Sequence, residues 1–111
     1  TTAQAVNVLS HLEYYLQLVW PELNVNVLST TEQWAGAAVA GPKSRELLKK
    51  LFPKMDSSNE GLPFMGFKEE NLFGAPARVF RISFSGELAY EVNVESDYGI
   101  FMWKKIIELG L

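Results

Sequence analysis

The sequence has no cysteine. A disulfide framework, a thiol nucleophile and cysteine-ligated zinc are therefore excluded. Histidine is represented once, by His11, so no second imidazole exists to complete a usual zinc or iron site. His11 has no serine or aspartate at a suggestive spacing and reads as a surface residue on an amphipathic helix. Positive charge is also scarce, with 10 Lys and Arg against 13 Asp and Glu and a net charge of −3. That balance argues against a nucleic-acid surface, and no basic run marks an anionic membrane. Apolar stretches fall well short of the roughly 20 residues a membrane helix needs, and no signal peptide precedes the first helix. Glycine-rich phosphate loops, internal repeats and low-complexity segments are missing too. These absences predict a soluble, cytoplasmic protein with neither nucleic acid nor membrane as partner. The chain starts almost inside a helix and without methionine, which reads as an internal piece of something longer.

What is present is ordinary globular material. The chain has 111 residues, 48% of them hydrophobic and 21% charged, enough for one domain with a modest core. Residues 3–20 carry Ala5, Val8, Leu9, Leu12, Leu16 and Val19 at helical spacing. Thr1 and Gln4 have the spacing of a capping box, and Pro21 stops the run. Tyr14, Tyr15 and Trp20 add aromatic surface, readable as extra packing or as a partner site. Leu23, Val25 and Val27 alternate with polar residues, predicting a short strand with one wet face. Trp34–Ala40 is small and apolar, predicting a strand buried on both faces. Gly41-Pro42 then opens a helix whose buried stripe is Ser44, Leu47, Leu48 and Leu51. Glu46 near its start and Lys49, Lys50 and Lys54 near its end follow the helix dipole. Residues 53–63 form a polar loop. Residues 64–73 form a strand that turns through Gly74-Ala75-Pro76 into a further strand, 77–84. Ser96 or Asp97 caps a last helix carrying Tyr98, Phe101, Met102, Trp103, Ile106 and Ile107, with Gly110 as its stop. Trp34 and Trp103 read more readily as core than as cofactor contacts.

The chemistry gathers in residues 81–91, Arg-Ile-Ser-Phe-Ser-Gly-Glu-Leu-Ala-Tyr-Glu. Two strand-like runs meet there, at a Ser85-Gly86 hairpin turn where glycine tolerates positive φ. Phe80, Ile82 and Phe84 alternate with Val79, Arg81 and Ser83. Leu88, Tyr90, Val92 and Val94 alternate with Ala89, Glu91, Asn93 and Glu95, giving each strand one face to bury. Glu91 is either a solvated carboxylate on the wet face or the acceptor of two parallel N–H donors from a planar heterocycle. Phe84 and Tyr90 would wall such a ring. Arg81 and Glu87 are either ligand groups or a surface ion pair across the hairpin. Helices interleaved with strands on a mainly antiparallel sheet define an α+β layered domain, partly ferredoxin-like.

The wording of residues 81–91 closely resembles the Arg-x-(Gly/Ser)-(Tyr/Phe)-(Thr/Ser)-Gly-Glu-x-x-(Tyr/x)-Glu signature of the folate-binding aminomethyltransferase family, which includes the glycine-cleavage T-protein. Thr31-Glu32-Gln33-Trp34 and Val39-Ala40-Gly41-Pro42-Lys43-Ser44-Arg45 are similar to its preceding segment. Within that family, His11-Leu12-Glu13 and Trp20-Pro21-Glu22-Leu23 resemble the α subunits of heterotetrameric sarcosine oxidases. The resemblance spans nearly the whole chain and implies that residues 1–111 are part of one folate-binding aminomethyltransferase-like domain. It implies tetrahydrofolate as ligand, with FAD, FMN and NAD in the parent complex but outside this segment, and the other subunits of that complex as partners. The second glutamate of the signature holds the pterin and matches Glu91. The aromatic near the folate matches Phe84, a departure where T-proteins carry tyrosine and its hydroxyl. Arg81, Glu87 and Tyr90 are further motif members. The family's catalytic aspartate would precede Thr1, and the arginine that partners the pterin glutamate would follow Leu111. The resemblance thus implies an incomplete site and no turnover by this segment alone. A subunit-interaction or scaffold module, or the equivalent piece of a dimethylglycine dehydrogenase or aminomethyltransferase, is the alternative.

Overall fold

The structure is a computed structural model that describes residues 2–111. The expected capping box involves Thr1 and so lies outside the described residues. The chain divides into two compact units, Thr1–Gln33 and Trp34–Leu111.

In the first unit a short 3₁₀ turn, Thr2–Gln4, leads into helix α1, Ala5–Tyr14, which runs on as a π-helical turn, Tyr15–Val19. The predicted helix is present, but none of its residues is buried. Tyr15 lies at the centre of an aromatic group, its ring 4.8 Å from His11, 5.6 Å from Tyr14 and 4.7 Å from Trp20. His11 is exposed, as expected. The strand expected at Leu23–Val27 does not form. A tight turn, with the Val25 N–H donating to the Leu23 carbonyl at 3.0 Å, interrupts the alternation. A strand also needs a partner ladder, and this segment has none among the described residues.

The second unit is an α+β two-layer domain. Its four strands are β1 (Trp34–Ala40), β2 (Phe67–Leu72), β3 (Ala75–Phe80) and β4 (Ala89–Glu95). They form one antiparallel sheet in the order β1-β4-β3-β2, a Greek-key order read from the C-terminal end. Helices α2 (Ser44–Leu51) and α3 (Gly99–Gly110) cover one face. Leu48, Leu51, Phe52, Met55 and Leu62 meet Leu72, Val79, Tyr90, Val92 and Val94 there, with Met102 and Ile106 from α3. Burying aliphatic and aromatic side chains of this size contributes about 1.5–3 kcal/mol each before entropy is counted.

Several local expectations are corrected by packing. β1 is an edge strand with only Val39 buried, not a strand covered on both faces, because the helices cover one face of the sheet. α2 starts at Ser44, and Gly41-Pro42 belongs to the turn before it, with Gly41 at φ 114°. Its stripe is otherwise as expected: Ser44, Leu48 and Leu51 are buried and Leu47 half-buried. The β2–β3 turn is Phe73-Gly74, at φ 50° and 107°, rather than Gly74-Ala75-Pro76. Two consecutive positive φ values match the right-handed twist of a two-residue hairpin. In β3 the buried residues are Ala75, Ala77 and Val79, so Phe80 faces the other way from the core. Trp103, expected in the core, is 59% exposed, and Trp34 is half-buried. No described helix is long and apolar enough to cross a membrane.

Candidate functional site

The β3–β4 connection is longer than a Ser-Gly turn. Pairing ends at Phe80↔Glu91, and residues 81–88 form an irregular loop. Hydrogen bonds at its entry, tip and exit shape it. The Arg81 backbone N–H donates to the Gly66 carbonyl at 2.9 Å, and the Arg81 carbonyl accepts from the Met65 N–H at 2.8 Å. The Arg81 guanidinium donates through Nη1 to the Leu62 carbonyl at 3.0 Å. At the tip, the Gly86 N–H donates to Ser83 Oγ at 2.7 Å, with Gly86 at φ 92°, where a side chain would be strained. At the exit, the Leu88 carbonyl accepts from the Gly41 N–H at 2.9 Å and from Ser44 Oγ at 3.0 Å. The second bond is what satisfies the buried Ser44 hydroxyl.

The motif residues separate into different surroundings. Arg81 and Glu87 line a depression of about 360 Å³ together with Phe64, Ser83, Gly86, Leu88 and Ala89. They make no ion pair with each other among the described residues. Arg81 clasps the loop at Leu62, while Glu87 accepts a hydrogen bond from the Ser85 hydroxyl. That hydroxyl, and then the residue's own backbone N–H, hold the Glu87 carboxyl below its ordinary range. Phe84 projects fully into solvent at the loop tip. Tyr90 is fully buried on the helix-covered face, where its hydroxyl accepts from Arg45 Nε at 3.0 Å. Arg45 reaches on through Nη2 to Asn59 Oδ1 at 2.7 Å, tying α2 and the 53–63 loop to β4. Tyr90 therefore does not stand beside Glu91, as a shared ring wall would require; adjacent strand residues point to opposite faces.

Glu91 lies on the open face, exposed and with no hydrogen-bond or ion-pair partner among the described residues. Its cross-strand neighbours are Phe80 on β3 and Ala38 on β1. Phe80 in turn faces Phe67 on β2, and the two rings stack with centroids 5.2 Å apart at 26°. One row, Phe67–Phe80–Glu91–Ala38, thus crosses all four strands on a single face. The next row carries Glu69, Arg78, Asn93 and Gly36. Arg78 pairs with Glu69 at 3.5 Å and sits 4.0 Å over the Trp34 ring. Sequence reading missed Phe80 and Phe67 at this site because it set Phe80 on the same face as Phe84. Pairing register, the one quantity that would have placed it, is not written in period-two alternation.

Comparison with known proteins agrees with the motif wording. A family model, the GCVT N-terminal domain, matches residues 1–111. The chain is 46% identical to the sarcosine oxidase α subunit of Rhizobium meliloti (strain 1021) over 99% of its length, and 47% identical to that of Corynebacterium sp. (strain P-1) over 99%. It spans only 11% and 12% of those two relatives. An aminomethyltransferase of Bacillus subtilis (strain 168) is 35% identical over 78% of the chain, which spans 24% of that protein. The chain belongs to the GCVT N-terminal domain family.

Proposed function

We propose that this chain is the folate-site segment of a sarcosine oxidase α subunit. In this reading the parent complex oxidatively demethylates sarcosine to glycine and passes the one-carbon unit to tetrahydrofolate. The observation that carries the reading is Glu91: a motif glutamate, exposed and without a partner among the described residues, on an open sheet face of a chain 45–47% identical to such subunits. An unpaired carboxylate on a rigid strand can accept two parallel N–H donors from the pterin edge, a bond set that is both strong and directional. Phe84 at the loop tip is the motif aromatic, and Arg81 and Glu87 keep the loop in shape through their bonds to Leu62 and Ser85. Tyr90 serves the site from behind, packing β4 against α2. Tetrahydrofolate, once bound, supplies the amine nitrogens that take up the one-carbon unit. This chain's contribution is orientation of that ligand, catalysis by positioning. FAD, FMN and NAD belong to other parts of the parent complex, which is cytoplasmic in this reading.

Titration with tetrahydrofolate, followed by NMR shifts beside Glu91→Gln, tests the reading. Saturable shifts centred on residues 84–91 and weakened by the substitution support it; a well-dispersed spectrum of the isolated chain that ignores folate means that the site needs the flanking residues and leaves this piece as scaffold. The 111-residue chain alone should show no sarcosine-dependent turnover.

A second reading, a subunit-interaction module, draws on the exposed apolar residues of α1 and α3. Val6, Val8 and Leu12 on the first, and Ile100 and Trp103 on the second, lie 43–74% exposed. Concentration-dependent association in sedimentation, with no folate response, would favour it.

A further inference from the structure

We propose that Phe80, backed by Phe67, is the stacking wall for the planar ring held at Glu91. This deepens the folate reading and rests on it. The signature wording points to Phe84 instead, and neither Phe80 nor Phe67 falls within residues 81–91.

The argument starts from register. Directly opposed residues of an antiparallel pair project from the same face with Cβ atoms roughly 4.5–5.5 Å apart. Phe80 is therefore the immediate neighbour of the Glu91 carboxylate on one side, and Ala38 on the other. A heterocycle that donates two N–H bonds to Glu91 has its edge fixed there, and its body must lie over one flank. On the Ala38 side there is only a methyl group, with Gly36 two residues away. That side gives room. The Phe80 side gives a π face, and ring pairs of this kind prefer offset stacking.

The Phe67 stack settles how Phe80 is held, since a ring supported on its far side keeps its near side free and oriented. Core packing does not account for either ring. α2 and α3 lie on the opposite face, Phe67 is 51% exposed and Phe80 only half-buried. Phe84, at 102% exposure, has no support of this sort.

The test is calorimetric titration of tetrahydrofolate into the protein that carries this chain, comparing wild type with Glu91→Gln, Phe80→Leu, Phe80→Tyr, Phe67→Leu and Phe84→Ala. Thermal unfolding without ligand is recorded for each. Phe80→Leu should weaken binding about three- to tenfold, the worth of one aromatic stack, and Phe80→Tyr should restore it to within about twofold of wild type. Phe67→Leu should weaken it about twofold by freeing the Phe80 ring, and it carries the test should Phe80→Leu fail to fold. Wild-type affinity in Phe80→Leu and Phe67→Leu, beside a loss in Glu91→Gln, overturns the wall and leaves the folate reading standing. Absence of wild-type binding, or indifference to Glu91→Gln, overturns both.

Discussion

Tyr90 and Glu91 are neighbours in sequence with opposite fates. Tyr90 is sealed between the sheet and α2, its hydroxyl bonded to Arg45. Glu91 stands in solvent with no partner among the described residues. The same contrast holds for the two faces of the sheet. One is closed by Leu48, Leu51, Met102 and Ile106. The other carries Phe67, Phe80, Glu91, Asn93 and an arginine laid over Trp34. The covered face holds the domain together, so its residues are constrained by volume. The open face is not closed by helices, and chemistry there is free to serve a ligand.

Substitutions at the two neighbours should separate these roles. Tyr90→Ala should have the largest effect, destabilising the second unit by about 3–5 kcal/mol, with Arg45 left short of an acceptor as an added cost. Urea unfolding measures it; a loss below about 1 kcal/mol would mean that the two faces do not differ as described. Glu91→Gln is the matched control, expected within about 0.5 kcal/mol of wild type because it touches neither core nor network.

Ser44→Ala should fall between them. It removes one of the two donors to the Leu88 carbonyl, and a hydrogen bond of this kind contributes about 0.5–1.5 kcal/mol. Faster amide exchange at the start of β4, with the centre of the strand unchanged, would show that this bond pins the loop exit rather than the core.

The smallest effect concerns pH. The Ser85 hydroxyl lowers the Glu87 carboxyl below its ordinary value. A depressed carboxylate contributes stability above its unfolded pKa and loses it as pH falls through the folded one. The loop tip should therefore loosen only in acid, below the ordinary carboxylate range. Ser85→Ala should raise the Glu87 pKa toward its usual value, read from carboxyl NMR titration, without shifting the Val92 or Val94 resonances. A titration unchanged by the substitution would detach the serine from the carboxylate.

Much of this was legible in the sequence, residue by residue. Tyr90, Val92 and Val94 alternate with polar positions, and all are buried as the alternation requires. Ser44, Leu48 and Leu51 have helical spacing and line the core side of α2. Gly86 was the natural place for positive φ, and it has it. Other positions misled because their fate depends on partners. Leu23, Val25 and Val27 alternate as a strand would, but have no ladder to join among the described residues. Trp34–Ala40 is apolar enough to be central, yet among the described residues it pairs on one side only. Phe80 alternates in step with Phe84, but β3 ends at Phe80 and the chain leaves the sheet.

The sequence by itself determined the helices, most of the strands, the family and the glutamate worth watching, because periodicity and motif wording are local properties of the chain. Tertiary structure alone decided the face that Glu91 shares. Cross-strand register is a relation between segments far apart in sequence, set by which residues the helices cover. That register sets Glu91 beside Phe80, with Phe67 behind it.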